Sequence, residues 1–221
     1  MERHFVHDLD ELKERLLWMG GLAERAVHQA MEAVLEAQEE PAQRVLVEEN
    51  AINELQIEID DRVMHLLALQ QLMAADLRLV LAVSRINNDL ERIGDQAVNI
   101  SEAALRIVRH PRVKPYVDLP RMSELAEEMV RDSLNAVVRR DVELARSVLT
   151  RDDQVDRLRD QIFRELLTYM MGDSSVVFPA FELILVAKNL ERVGDHATNI
   201  AEDVIYMVEG HDVRHPALDR R

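Results

Sequence analysis

Residues 90–100 read LERIGDQAVNI, and residues 190–200 read LERVGDHATNI. The same phrase recurs at an offset of 100 in a chain of 221 residues, so the chain is an internal duplication. Each copy spaces Glu, Asp and Asn four residues apart: Glu91, Asp95 and Asn99, then Glu191, Asp195 and Asn199. A further glutamate follows in each, Glu102 and Glu202. Four-residue spacing is the helical repeat that keeps side chains on one side. Both phrases therefore predict a helix carrying a stripe of oxygen ligands.

The composition agrees with helices. Hydrophobic residues make up 48% of the chain but aromatics only 4%, and the six glycines and six prolines are too few for a turn-rich β fold. A net charge of −15 argues against a nucleic-acid binder, which needs a basic stripe. It also disfavours adsorption to an anionic membrane and favours cations or basic protein surfaces as partners. The chain has no cysteine, which excludes disulfides and thiolate metal sites. With Glu2, Arg3 and His4 directly after Met1, and no apolar run long enough to span a bilayer, a cytoplasmic location and no direct membrane insertion are expected.

Outward from the phrases, apolar periodicity predicts six helices. The first covers 8–38, with Leu9, Leu12, Leu16, Met19 and Ala23 on its inner face. The second has Pro41 in its first turn and runs to about Gln70; the third starts near Asp76, read as a cap, and runs to about Val108. Residues 110–120, HPRVKPYVDLP, hold three of the six prolines and form the linker. The fourth helix spans about 121–139. The fifth starts at Asp141 and ends near Met171–Gly172, and the sixth has Pro179 in its first turn and stops before Gly210. Ala42, Val45, Leu46, Glu49, Ile52 and Asn53 match Ala145, Val148, Leu149, Asp152, Val155 and Asp156 at an offset of 103. Helices two and three thus correspond to helices five and six, and the three-residue change falls in the intervening loop or helix end. The predicted fold is all-α: two tandem three-helix bundles, residues 1–112 and 113–221.

At about 100° per residue, Glu91, Asp95, Asn99 and Glu102 share a sector about 80° wide, opposite the main apolar face. Like charges at i and i+4 repel by a few tenths of a kcal/mol per pair, so the stripe disfavours its own helix unless something binds it. A solvated face is the plain alternative. Yet the phrase is better matched between the halves than its surroundings, which duplication by itself does not explain. If each helix pair is an antiparallel hairpin, Glu49 lies level with Asp95 and Asn53 with Glu91. In the second half Asp152 is level with Asp195 and Asp156 with Glu191. The candidate metal ligands are therefore Glu49, Asn53, Glu91, Asp95, Asn99, Asp152, Asp156, Glu191, Asp195 and Asn199. An oxygen-only set suits Mg²⁺, Ca²⁺, Mn²⁺ or iron, divalent or trivalent, with zinc less favoured because it recruits His or Cys. Such a site would face outward, open and shallow. His196 reads as a surface or packing residue rather than a ligand. Gly94 and Gly194, in mid-helix, imply close approach of a neighbouring helix, and the Gly20–Gly21 pair a bend in the first helix.

These residues resemble the PhoU family of phosphate-transport regulators. The resemblance rests on the paired ExxxD phrases Glu91–Asp95 and Glu191–Asp195 and on the upstream pairs Glu49/Asn53 and Asp152/Asp156. It rests also on Asp76-Leu77-Arg78-Leu79-Val80, the run LLTYMM at 166–171, and the ending from Phe181 to Gly210 with Asp212 and the Arg214-His215 pair. It covers nearly the whole chain. It implies a cytoplasmic, non-enzymatic negative regulator of phosphate uptake, homodimeric, linking a phosphate ABC transporter (through its ATPase subunit) to a sensor histidine kinase. It also implies metal ions at the ExxxD phrases, multinuclear iron among them. The chain departs from the pattern twice. Glu49/Asn53 is less acidic than Asp152/Asp156, which implies weaker metal binding in the first half, and the second half has no clear counterpart of Asp76-Leu77-Arg78. Two other readings compete. One is a structural dimerising bundle with a solvated stripe. The other is a di-metal carboxylate enzyme, disfavoured because the chain has no Glu-x-x-His pair and the stripe faces away from the core.

Overall fold

The computed structural model describes residues 2–69 and 71–214, with side chains from residue 7 onward. Gln70 and His215, used above, lie outside the described residues. Every regular element among the described residues is helical: α1 (Glu2–Glu36), α2 (Glu39–Leu69), α3 (Ala74–Ile107), α4 (Asp118–Arg139), α5 (Val142–Leu149), α6 (Asp152–Gly172), a 3₁₀ turn (Ser174–Val176) and α7 (Val177–Glu209). None of these helices is long and apolar enough to cross a membrane.

The chain folds as tandem helical bundles, α1–α3 and α4–α7. Within each, the apolar stripes meet in a core of small and branched aliphatics such as Leu12, Leu16, Ile52, Ile93, Val155, Leu190 and Val193. The bundles join along α3 and α7, which run antiparallel. Arg85 pairs with Asp203 at 3.1 Å, Asp89 with His196 at 2.8 Å and Arg106 with Glu182 at 3.0 Å. As residue numbers rise on one helix they fall on the other. The repeat-related Gly94 and Gly194 therefore sit at equivalent levels about the centre of this contact, which acts as a pseudo-two-fold point.

Six helices were expected; the fifth is broken into α5 and α6. At the break Thr150 Oγ1 donates to the Ser147 carbonyl at 2.8 Å, and the Arg151 N–H bonds Val148 in the tighter three-residue pattern, at 3.0 Å. Hydroxyl side chains that bond the backbone locally compete with the helical ladder in this way. Asp141 does cap α5, accepting from the Leu144 N–H at 3.0 Å. Asp76 does not cap α3: the helix begins at Ala74 after Met73, and Asp76 lies in the first turn, where its charge favours the helix dipole. Gly210 ends α7 in the left-handed conformation at φ 71°, its N–H bonding Tyr206 at 2.9 Å.

The change in offset from 103 to 100 has a visible cause. Four residues lie between α2 and α3 and four between α6 and α7, but in the second connection three of them, Ser174–Val176, wind into a 3₁₀ turn that runs straight into α7 and leaves Asp173 alone outside it. Its carboxylate accepts from the Ser175 N–H at 2.8 Å and so starts that turn. The duplication also reaches the first helices. Ala37 and Arg140, 103 residues apart, are the two non-glycine residues with positive φ among the described residues, at 55° and 53°, and each ends the opening helix of its bundle. Gln38 N–H to Ala33 and Asp141 N–H to Ala136 repeat the same closing bond, at 3.2 and 3.1 Å.

Gly20 and Gly21 do not break α1, which is continuous from Glu2 to Glu36. A Cβ at Gly20 would come within 2.8 Å of both Leu134 methyls, so this glycine lets α4 approach. The linker is likewise docked rather than free. Val113 and Lys114 are buried, and the Lys114 ammonium bonds Glu165 of α6.

Candidate metal centre

The glycines of the repeated phrase position the stripes. A Cβ on Gly94 would lie 3.1 Å from Ile52 Cδ1, and one on Gly194 would lie 3.5 Å from Val155 Cγ1. Ile52 and Val155 are the matching residues of α2 and α6, so in both halves the second helix of the hairpin closes onto the glycine. That approach carries its acidic residues toward the stripe. The sector seen as facing outward is therefore a seam between two helices, with Glu49, Asn53, Glu91, Asp95, Asp152 and Asp156 all partly buried.

In the first half, Glu91 and Asp95 share the guanidinium of Arg92, at 3.4 and 3.1 Å. Burial pushes the Glu91 carboxyl above its ordinary range, and the charges of Asp95 and then Glu49 add to this, against Arg92 and His196. Glu49 is thus close enough to Glu91 for its charge to be felt across the helix pair. Asn53 lies one turn further along α2, and Asn99 is exposed at the outer end of the stripe.

In the second half, four carboxylates gather. Asp195 is solvent-accessible on one side yet raised to about 6, first by burial, then by the charges of Glu191, Asp152 and Asp156. Asp152 is raised for the same reasons, burial and then Asp156, although Thr198 Oγ1 donates to it at 3.4 Å. Arg159 of α6 bridges the two helices: its Nη1 bonds Glu191 and lies 3.1 Å from Asp156. Asp156 is thus level with Glu191, as the hairpin register predicts. Asn199 leaves the set. Its amide donates to Asp89 of α3 at 3.0 Å, which places it in the contact between the bundles. His196 joins it there on Asp89, partly buried and in a packing role.

Asp89, Arg159 and Thr198 were not singled out from the sequence. Asp89 acquires its role only when α3 meets α7, which no periodicity within one helix can reveal. Arg159 was legible in principle, because it stands three residues after Asp156 and the matching residue of the first half is Gln56.

The donors are all oxygen and mostly charged, which suits hard cations, and in each half a guanidinium already stands among them as a cation. Among the described residues, no three carboxylate or imidazole groups converge closely enough to hold an ion as they stand. Loading would therefore require side chains now turned to Arg92 and Arg159 to turn back. Arg92 and Gln96 of α3 and Arg192, Asp195 and Asn199 of α7 border one depression of about 490 Å³. Of the candidate ligands, only those of the second stripe line it.

Comparison with known proteins agrees with this architecture. The sequence matches the PhoU domain twice, over residues 16–104 and 119–204. It is 40% identical to the phosphate-specific transport system accessory protein PhoU homolog of Pseudomonas putida, covering all of this chain and 86% of that one. It is also 40% identical to the protein of the same name from Aquifex aeolicus, over 97% of each chain. The crystal structure of PhoU from Pseudomonas aeruginosa superposes with a TM-score of 0.91 at 38% identity, over 94% of this chain and all of the other. Two domain matches, full-length identity and a shared tandem bundle agree with the duplicated phrase from which the fold was read: this chain belongs to the PhoU family.

Proposed function

We propose that the chain is an accessory regulator of a phosphate-specific transport system. In this reading it is a non-enzymatic, cytoplasmic adaptor, homodimeric, that contacts the transporter's ATPase subunit and a sensor histidine kinase and lowers uptake and signalling when phosphate is plentiful. A metal ion at the carboxylate seams modulates those contacts. The observation that carries the reading is the full-length likeness to accessory proteins of phosphate transport, together with two carboxylate seams kept at matching positions of a duplicated fold. Half-exposed Phe163, Phe178 and Phe181 near the α6–α7 turn offer apolar area for docking. Glu49, Asn53, Glu91, Asp95 and Asn99 would hold the ion in the first half; Asp152, Asp156, Glu191 and Asp195 would hold it in the second. A bound cation would supply local positive charge on a face that is otherwise repulsive to acidic surfaces.

The test is binding of the purified ATPase subunit and kinase to the metal-loaded protein, the chelated protein, and a Glu91→Ala/Glu191→Ala variant. Metal-dependent binding predicts weakening by chelation and by the double substitution. Equal binding in all three removes the metal from the mechanism while leaving the adaptor role standing.

A second reading has its own support. Because Arg92 and Arg159 already neutralise part of each seam, the chain could act as a structural bundle that needs no ion. Elemental analysis of protein purified without a histidine tag separates the two, since this reading requires metal at background levels.

A further inference from the structure

The two seams are neutralised by unequal means. Arg92 sits on the same helix as its partners and its side chain is 60% exposed. Arg159 reaches across from α6 to α7, is 32% exposed, and contacts Glu191, Asp156 and Asp160 together. Its counterpart in the first half, Gln56, is uncharged and points its amide at Asn88, 3.4 Å away. Arg159 also has somewhere to go. Asp160 holds it at 2.9 Å on the outer side, at 61% exposure. Arg159, Asp160 and Glu191 together line a groove of about 310 Å³ whose other walls are Phe163, Ile184, Ala187 and Lys188. Displacement toward Asp160 along this groove would take the guanidinium off Glu191 and Asp156 while it keeps one carboxylate partner.

We propose that Arg159 is a built-in competitor for the cation of the second seam, holding Glu191 and Asp156 until an ion displaces it toward Asp160, so that the first seam fills at lower ion concentration. This inference rests on the metal reading above. It reverses the order implied by ligand count, since the second seam has more carboxylates. A half-buried guanidinium spanning two carboxylates on two helices is a stronger competitor than an exposed one that is one and three residues from its partners on the same helix, because its charge is less screened and its contacts join two elements. No bond is made or broken in the exchange; one cation replaces another.

The experiment is a titration of the metal-stripped full-length protein with Mn²⁺, with free and bound ion counted by electron paramagnetic resonance. Glu91→Ala isolates the second seam and Asp195→Asn isolates the first. In the Glu91→Ala background, Arg159→Gln should tighten Mn²⁺ binding by about tenfold or more, the scale of one charge-assisted contact. Arg159→Lys, which keeps the charge but not the two-pronged geometry, should give an intermediate gain. In the Asp195→Asn background, Arg159→Gln should change nothing, while Gln56→Arg should weaken the first seam. If the first seam binds Mn²⁺ but Arg159→Gln leaves the second unchanged, the competitor role falls and the metal reading stands. If neither the wild-type protein nor Arg159→Gln binds Mn²⁺ at either seam, both fall.

Discussion

In the first half the cation beside Glu91 and Asp95 comes from their own helix, and the carboxylate across the hairpin is a single one, Glu49. In the second half the cation comes from the neighbouring helix, and two aspartates, Asp152 and Asp156, crowd Asp195 from across the hairpin. The packing beneath differs as well: Ile52 presses on Gly94 more closely than Val155 presses on Gly194. Nearly identical phrases therefore sit in one tight, moderately charged seam and one looser, densely charged seam. Duplication preserved the stripe, and the partner helix made the two environments diverge.

The largest expected effect probes the packing. Ile52→Ala should cost about 2–5 kcal/mol in urea unfolding, because the side chain is buried and its cavity cannot fully close. Val155→Ala should cost less, by about the 0.5–1.5 kcal/mol of one methylene. If Val155→Ala proves the costlier, the second seam is the tighter one and the contrast reverses.

A charge difference should show in the pH dependence of the metal-stripped protein. Asp195 titrates near 6 in the folded state against an ordinary value of 3.8. The folded protein thus binds more protons than the unfolded chain between about 4 and 6, and this group's contribution to stability falls as pH rises through that window. Asp195→Asn should remove the contribution, raising the melting temperature at pH 7 relative to wild type while leaving it little changed at pH 4. Glu91 is shifted in the same direction, with Arg92 opposing, so Glu91→Gln should produce the same pattern more weakly. Equal effects in melting scans would mean that the seams are electrostatically alike.

The smallest effect lies in the glycines. Gly194→Ala should stabilise by up to about 1 kcal/mol through helix propensity, since its methyl would meet Val155 at an ordinary 3.5 Å. Gly94→Ala should gain less, because Ile52 must yield at 3.1 Å. Denaturant melts of both variants measure the difference directly.

Much of this could be read before any coordinates, and the reasons are local. Period and punctuation predict the long helices, because Pro41, Asp141, Pro179 and Gly210 each act on their own backbone. The hairpin register follows from placing the turn of each antiparallel pair near residues 72–73 and 173–174, and it sets Asp156 level with Glu191, as Arg159 bridging the two shows. The break at Thr150–Arg151 was hidden because its cause is hydroxyl hydrogen bonding inside a segment whose apolar pattern runs on unbroken. The contact of α3 with α7 was hidden too, since it joins residues far apart in the chain whose side chains differ between the halves. Arg85 and Asp203 have Leu185 and Ala103 at the matching positions. That contact takes Asn199 from the candidate ligands and gives it to Asp89. The separate approach of α4 to α1 turns an expected bend at Gly20 into a seat for Leu134, because close approach and flexibility leave the same glycine in the sequence.

The turns at Ala37 and Arg140 carry a different kind of information. Neither residue is a glycine, the two are chemically unlike, and both hold a left-handed backbone that costs an L-residue roughly 1–2 kcal/mol. A shape kept at equal spacing through unrelated side chains is inherited architecture rather than a local preference. The ancestral segment that was copied therefore already ended its opening helix with this turn, and what doubled was a finished three-helix unit, not a hairpin to which helices were later added.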